Sequence, residues 1–342
     1  MDPGSGLAVG RTRWLFCAVR FGDNLMLVYP VYVLLFLRAG LSLLEISWLF
    51  AIWCGSVVLT EVPTGALADR HDRRNLLVMA ALSKTVGFAC WGFASSFWLF
   101  ALGFLFWGLS ESLASGTLQS LLWDRLAAVG EQERYLEVVS RGGVFSNIGT
   151  GIACVAGGLL AAHSIPAALW SSVFCMVPVI SLVLLFRDPR PQPLRAVPEL
   201  LVQTILKAAG DVVAQRDLGR LMLYSMLGLV WANLEEYDQA YRDFIGMPVW
   251  VFGVWSVVLM LVQAAGAAWA ACLGGRPTAK YVCTCVSGAC LAAAAYYPSF
   301  YLLPVCAVSF GVMATAEVLV DHELQNAIGG QNRATVTSIH SL

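Results

Sequence analysis

Charged residues are scarce in this chain. Asp, Glu, Lys and Arg make up 13% of its 342 residues, whereas hydrophobic residues make up 58%. Soluble domains are about half apolar and about a quarter charged. The shortage of charge therefore excludes a soluble globular protein and predicts an all-α integral membrane protein. The formal net charge of −1, with basic residues scattered over the loops, also excludes a nucleic-acid partner.

The signals of enzyme chemistry are missing as well. The four histidines stand far apart, with no spacing suited to a metal ion, and no G-x-x-x-x-G-K-[ST] phosphate loop occurs. The ten cysteines lie inside or at the edges of apolar runs, where cysteine acts as a small hydrophobic residue. We therefore expect no enzymatic activity, no cofactor and no metal site.

Ten apolar segments are long enough to cross a bilayer, which takes about 20 residues for a helix. They lie near residues 14–37, 44–68, 76–95, 97–122, 142–162, 166–186, 219–243, 249–273, 279–297 and 300–322. The first is too long for the core of a signal peptide, so we expect it to be retained as the first span. These segments predict a multi-pass protein of the cell membrane.

The loops between the spans alternate in charge. Basic residues are concentrated in the N-terminus, in the loop at 70–74 and in the connector at 187–220, whereas the opposite loops are short and nearly free of them. Because short basic loops stay inside, the N-terminus is predicted to be cytoplasmic.

The connector divides the chain into two blocks of spans. We expect an N-terminal six-helix half at 1–187, a cytoplasmic linker at 188–218 and a C-terminal half at 219–342 with spans seven to ten and the start of an eleventh. After its prolines the linker has apolar residues at spacings of three and four, which predict an interfacial amphipathic helix. A flexible linker is the alternative.

The loop after the second span carries the most specific pattern. It is strongly basic, and its specified positions are Gly65, Asp69, Arg70, Arg73 and Arg74. It resembles the signature loop of the major facilitator superfamily of secondary transporters, G-x-x-x-D-[RK]-x-G-[RK]-[RK]. Asp72 replaces the second glycine and tolerates the left-handed turn expected there. We also expect Gly65 to allow a neighbouring helix to approach closely. A chance basic loop at a helix end is the alternative.

The resemblance implies a bundle of two six-helix halves around a central cavity, with a small-molecule substrate and no required oligomer. By that standard the chain is expected to end before helices 11 and 12. The preceding Glu61-x-Pro63-Thr64 resembles drug-exporter-like members, so proton-coupled export of a small amphipathic compound is the first hypothesis. The antiporter signature of span five is only partly present, at Gly149, Gly157 and Gly158. Alternatives are a nutrient or metabolite symporter and a truncated, non-transporting membrane protein.

Acidic residues concentrate in spans one, four, seven and ten. The resemblance implies that these four spans line the cavity. Ionisable groups inside a membrane cost several kcal/mol unless they face a cavity or a partner. The candidates for substrate or proton binding are Asp23, Glu111, Glu235, Asp238 and Glu317.

Local neighbours suggest how some of these acids are satisfied. Asp23 either pairs with Arg20 one turn earlier or couples to protons. In span seven, Arg242 is placed to neutralise Asp238 at i+4, and only one of Glu235 and Glu236 is expected to face inward.

Glu111 has no basic residue within a helical turn. Its ionised form would be costly there, so we expect it to bind a proton or a cationic substrate. Hydrogen bonding to Ser110, Ser112 or Ser115 in a purely structural role is the alternative. Lys84 is expected near the end of its helix.

Overall fold

The computed structural model describes residues 3–186, 224, 234–273, 276 and 278–327. The chain forms two compact units, 1–196 and 197–342. Eight helical segments within the described residues are long and apolar enough to cross a membrane. The predicted linker helix, most of span seven and the start of span eleven lie outside the described residues.

The N-terminal unit contains eight α-helices within its described residues. They are α1 (Pro3–Asp23), α2 (Tyr32–Arg38), α3 (Leu43–Arg70), α4 (Arg73–Gly92), α5 (Phe97–Ala114), α6 (Thr117–Ala127), α7 (Tyr135–Ala161) and α8 (Ile165–Leu184), with 3-10 turns at Tyr29–Val31 and Gln132–Arg134. Polar caps begin several of them. At α3, the Ser42 side chain accepts a hydrogen bond from the Glu45 amide while the Glu45 carboxylate accepts from the Ser42 amide.

The C-terminal unit contains four α-helices within its described residues. They are α9 (Asp238–Phe244), α10 (Val249–Leu273), α11 (Ala279–Tyr296) and α12 (Leu303–Ala327), with 3-10 turns at Glu235–Tyr237 and Phe300–Leu302. Helix α12 packs on both α10 and α11. On the α11 side, the buried hydroxyls of Ser287 and Ser309 lie 2.8 Å apart and join the two helices.

The first predicted span is not one continuous helix. α1 starts at Pro3 and ends at Asp23, and helical structure resumes only at Tyr29. Two local features favour the break. The Asn24 side-chain amide donates to the Arg20 carbonyl (2.9 Å), and Pro30 has no amide hydrogen with which to continue a helix.

The fourth predicted span is divided too. It consists of α5 and α6, separated at Ser115 and Gly116. Gly116 has φ +65°, a left-handed conformation that glycine adopts without a steric penalty.

Two groups of helices organise the N-terminal unit. α5 packs against α3 and α4, while α1 packs against α7 and α8. α4 also contacts α8 and so connects the two groups. A buried apolar cluster that includes Leu15, Leu121 and Val179 joins α1, α6 and α8. This packing brings the charged residues of α1, α4 and α5 to one place.

Helix α7 makes direct backbone contact with the broken first span. A Cβ built on Gly149 would lie 2.5 Å from the Phe21 carbonyl oxygen, and one built on Gly157 would overlap the Leu27 carbonyl oxygen. Real Cβ atoms do not approach so closely. These two positions of the antiporter-like pattern therefore act as close packing points for the end of α1 and the break.

Candidate functional site

A cavity of about 270 Å³ lies within the N-terminal unit, where α1, α4, α5, α6 and α8 meet. Four ionisable side chains line it, namely Arg20, Asp23, Lys84 and Glu111. The sequence predicted two of them, Asp23 and Glu111, as substrate- or proton-binding residues. The structure brings both to the same cavity and adds two cations.

Asp23 pairs with Lys84 of α4. The Lys84 ammonium lies 2.6 Å from Asp23 Oδ1 and 3.4 Å from the Asp23 carbonyl oxygen. The alternative in which Asp23 pairs with Arg20 is therefore wrong, and so is the placement of Lys84 near a helix end. Lys84 lies mid-helix with its side chain only 7% exposed, and a cation buried so deeply requires a carboxylate.

Glu111 accepts a hydrogen bond from the indole of Trp53. The distance from Trp53 Nε1 to Glu111 Oε2 is 3.0 Å. The expected partner Ser112 instead bonds to α3, with its hydroxyl 3.2 Å from the Val57 carbonyl and 2.8 Å from the Thr60 hydroxyl. Sequence reasoning missed Trp53 because it lies on another helix, 58 residues away in the chain.

Arg20 points its guanidinium towards α7. Its Nη2 lies 3.5 Å from the Ser146 hydroxyl, and its Cγ lies 3.4 Å from a Cβ built on Gly142. Among the residues that the structure describes, no carboxylate lies within ion-pairing distance of this guanidinium.

In the C-terminal unit, the acids of span seven have different surroundings. Glu235 accepts a hydrogen bond of 2.6 Å from the Gln263 side chain. Asp238 pairs with Arg242 at 2.9 Å, as the i+4 spacing predicted, and both side chains are 3% exposed. Arg242 also donates to the Phe252 carbonyl (2.7 Å), so the pair attaches α9 to α10.

Glu317 of α12 is exposed and within electrostatic range of Glu235. Asp238 forms an ion pair with Arg242, and Glu235 lies within electrostatic range of both Asp238 and Glu317.

The signature loop does not contain the expected left-handed residue. Asp72 has φ −60° and caps α4, with its side chain accepting from the Arg74 amide at 2.8 Å. No residue other than glycine has a positive φ in the described ranges. An aspartate at this position closes the turn as an N-cap, which needs extended backbone.

The basic side chains of the loop contact the same unit. Arg73 forms an ion pair with Asp124 near the end of α6, and Arg74 lies 4.0 Å from Asp72. The side chains of Asp69 and Arg70 lie outside the described residues. No described atom lies within 4 Å of a Cβ built on Gly65, so the expected close helix approach at Gly65 is wrong for this structure.

Comparison with known families identifies the chain. The sequence profile described as Major Facilitator Superfamily matches residues 14–342. The chain belongs to the major facilitator superfamily. It is therefore a multi-pass membrane protein and a secondary transporter of small molecules, with no enzymatic role. No curated protein sequence matches it.

Solved structures show the same fold at low sequence identity. The nucleoside transporter NupG is 12% identical, with 100% of this chain and 86% of that chain covered and a TM-score of 0.75. A bacterial homologue of the human lysosomal transporter Spinster is 14% identical, with 100% and 78% covered and a TM-score of 0.64. A POT family transporter in complex with 5-aminolevulinic acid is 11% identical, with 98% and 86% covered and a TM-score of 0.59.

Proposed function

We propose that this member of the superfamily exports a small amphipathic compound across the cell membrane in exchange for protons, with Glu111 as the proton-binding residue. The observation that carries the proposal is the placement of Glu111 on the cavity of the N-terminal unit, with a neutral indole as its hydrogen-bond donor. A carboxylate taken out of water needs a full compensating charge, whereas a protonated carboxyl needs only hydrogen bonds.

Lys84 is the cation that responds to the state of Glu111. It lines the same cavity and acts electrostatically on Glu111, yet its contact is with Asp23. One ammonium therefore serves two carboxyl groups on two helices. A proton on Glu111 leaves Lys84 wholly to Asp23, and loss of that proton draws the ammonium towards α5. Such a choice between partners links protonation to the relative positions of α1, α4 and α5.

The second candidate is symport of a nutrient or metabolite. The fold similarity to a nucleoside transporter favours it, and so does the charged lining of the cavity, which suits a polar substrate. In both candidates Glu111 has the same role, and only the relative direction of proton and substrate differs.

Flux into proteoliposomes with an imposed pH gradient distinguishes the candidates. Exchange predicts that substrate accumulates when the lumen is acidic, whereas symport predicts accumulation when the outside is acidic, whichever way the protein is inserted. The compounds to be tested are lipophilic cations, aromatic anions, nucleosides and sugars. Absence of gradient-driven flux for every compound would contradict both candidates for these substrates.

Replacement of Glu111 tests the proton site. Glu111→Gln is expected to keep the fold, because an amide oxygen still accepts from Trp53, and to abolish the response of flux to the pH gradient. Glu111→Asp is expected to retain part of it. Glu137→Gln, at a surface residue of α7, is the matched control and should behave as wild type. Wild-type flux and pH dependence in Glu111→Gln would move the proton site to Asp23, Glu235 or Glu317.

A further inference from the structure

The four ionisable side chains of the N-terminal cavity differ in whether a group of opposite charge contacts them. Lys84 is neutralised by Asp23, and Glu111 is bonded to an indole. Arg20 contacts only a serine hydroxyl at 3.5 Å, and in the described part of the chain no carboxylate pairs with it. Arginine stays charged in proteins, so Arg20 cannot relieve this by losing its proton.

The position of Arg20 makes an unmatched charge costly. Arg20 follows Arg13, which pairs with Glu137 at the surface, by seven residues of α1. At 1.5 Å per residue this places Arg20 about 10 Å further along the helix. A cation that lines a cavity without a counter-ion is a candidate for ligand binding.

The packing around Arg20 holds it in place. The aliphatic part of Arg20 lies against Gly142 of α7, where any larger residue would occupy the same space. Its guanidinium lies 3.5 Å from the hydroxyl of Ser146, one turn further along α7. Within the described residues, Ser146 is the one hydrogen-bond partner of this guanidinium, so its other N–H groups have no described acceptor. A planar group with several donors matches the two oxygens of an anion.

Among the described residues that line the cavity, Asp23 and Glu111 are the acidic ones. α8 contributes Val179 and Val183, and α6 contributes Leu118 and Gln119. The Gln119 side-chain oxygen is buried and accepts no hydrogen bond from the described residues. With Asp23 matched to Lys84, the cavity carries a surplus positive charge whenever Glu111 is protonated.

We infer that this cavity binds the anionic group of its substrate at the guanidinium of Arg20, and that the substrate is an organic monoanion with a small apolar body. The apolar body is accommodated by Trp107, Leu118 and Val179. The inference rests on the proposed function only in taking this cavity as the transport site. Carboxylate and sulfonate share the required chemistry, and a phosphate monoester tests whether a second negative charge is accepted.

The test is ligand-induced thermal stabilisation of the purified full chain in detergent, which needs no proton gradient. The probes are benzenesulfonate, its neutral counterpart benzenesulfonamide and the similarly sized cation N,N,N-trimethylanilinium. Benzoate and phenyl phosphate then identify the preferred anion. We expect benzenesulfonate to raise the unfolding temperature of the wild type, and the neutral and cationic probes to have little effect.

Arg20→Gln is expected to weaken binding of the anion by about tenfold or more, as for loss of a charge-assisted hydrogen bond. Arg20→Lys keeps the charge without the planar donors and should bind with intermediate affinity. Arg13→Gln, on the same helix but outside the cavity, is the matched control and should bind as wild type. If Arg20→Gln does not fold, the Arg20→Lys result decides.

Several results would overturn the inference. The first is equal affinity for the anion in the Arg20 variants and the wild type. The second is stabilisation by the neutral or cationic probe equal to that by benzenesulfonate. The third is no stabilisation of the wild type by any of the three anions. The proposed function fails separately: wild-type pH-driven flux in Glu111→Gln, together with lost anion binding in Arg20→Gln, would reject the proton site and keep the anion site.

Discussion

At the level of single residues, the ion pair between Lys84 and Asp23 is asymmetric. The Lys84 side chain is 7% exposed, whereas that of Asp23 is 34% exposed at the cavity. Burial of the ammonium costs more than partial burial of the carboxylate, so the main effect of the carboxylate there is to neutralise the lysine. A buried ion pair adds little net stability, but its asymmetry determines which single replacement destabilises the protein more.

Asp23→Asn is therefore expected to destabilise the protein more than Lys84→Gln. The first leaves a buried ammonium in contact with neutral oxygens alone, those of the asparagine amide and of its backbone carbonyl, whereas the second leaves a carboxylate that the cavity can solvate. The cost should stay below about 3–5 kcal/mol, the range for breaking a fully buried pair, because Asp23 is partly exposed. Thermal unfolding in detergent measures both variants.

The double variant Asp23→Asn with Lys84→Met is the internal control, because it removes the unpaired charge. It should recover much of the stability lost in Asp23→Asn. If the double variant loses the sum of the two single effects, the two residues do not interact as the structure indicates.

At the level of helices, the broken first span depends on α7. The carbonyl oxygens of Phe21 and Leu27 lie directly on glycines of α7, so the end of α1 and the break are held by backbone contact. Broken helices in transporters place backbone groups beside the binding site. Here the break begins directly after Asp23, which lines the cavity, so packing on α7 also positions the site.

Gly157→Ala and Gly151→Ala form a matched pair on α7. A Cβ at position 157 would overlap a backbone oxygen, so the alanine must displace the chain at the break, at a cost of about 1–3 kcal/mol. A Cβ at position 151 meets no described atom within 4 Å, so that alanine should be neutral or slightly stabilising. Thermal unfolding and flux are the measurements. Equal effects of the two variants would contradict the packing of α7 on the break.

The loop between α3 and α4 is expected to act in the conformational cycle. Arg73→Ala removes the partner of Asp124 on α6, and Asp69→Asn changes the acid of the signature pattern. Both should reduce transport while the protein reaches the membrane in normal amounts, because a charged cluster at helix ends can form in one conformation and break in the other. Arg134→Ala, at an exposed arginine, is the control. Unchanged flux in both variants would show that the cluster sets only the orientation of the chain in the membrane.

For the molecule as a whole, the orientation in the membrane follows from the loops. Basic residues concentrate at the N-terminus and at 70–74, which we propose to be cytoplasmic. The loop between α7 and α8, which contains His163, is predicted to lie on the opposite side. Both His71 and His163 are exposed, so they report on the two sides of the membrane.

Cysteine labelling of intact cells measures this orientation. In a background with the ten native cysteines replaced, His163→Cys should react with an impermeant reagent added outside, whereas His71→Cys should react only after permeabilisation. His71 is preferred to Asp72 because Asp72 caps α4. Labelling of His71→Cys from outside in intact cells would reverse the proposed orientation.

Composition and local patterns were enough to predict the membrane class, the family and the approximate position of most described spans. Span length, apolar composition and the signature loop are properties of continuous segments, and each can be read without knowing the fold. The i+4 pair of Asp238 and Arg242 was predictable for the same reason, because both residues lie on one helical turn.

Which charges meet depends instead on how the helices pack. Lys84 and Asp23 are 61 residues apart in the chain, Trp53 and Glu111 are 58 apart, and each pair forms because helices from distant segments lie side by side. The unmatched Arg20 has the same origin, since the local spacing favoured Asp23 as its partner but a buried lysine on α4 binds that carboxylate. Helix periodicity places a side chain on a face, but the neighbouring helix determines its partner.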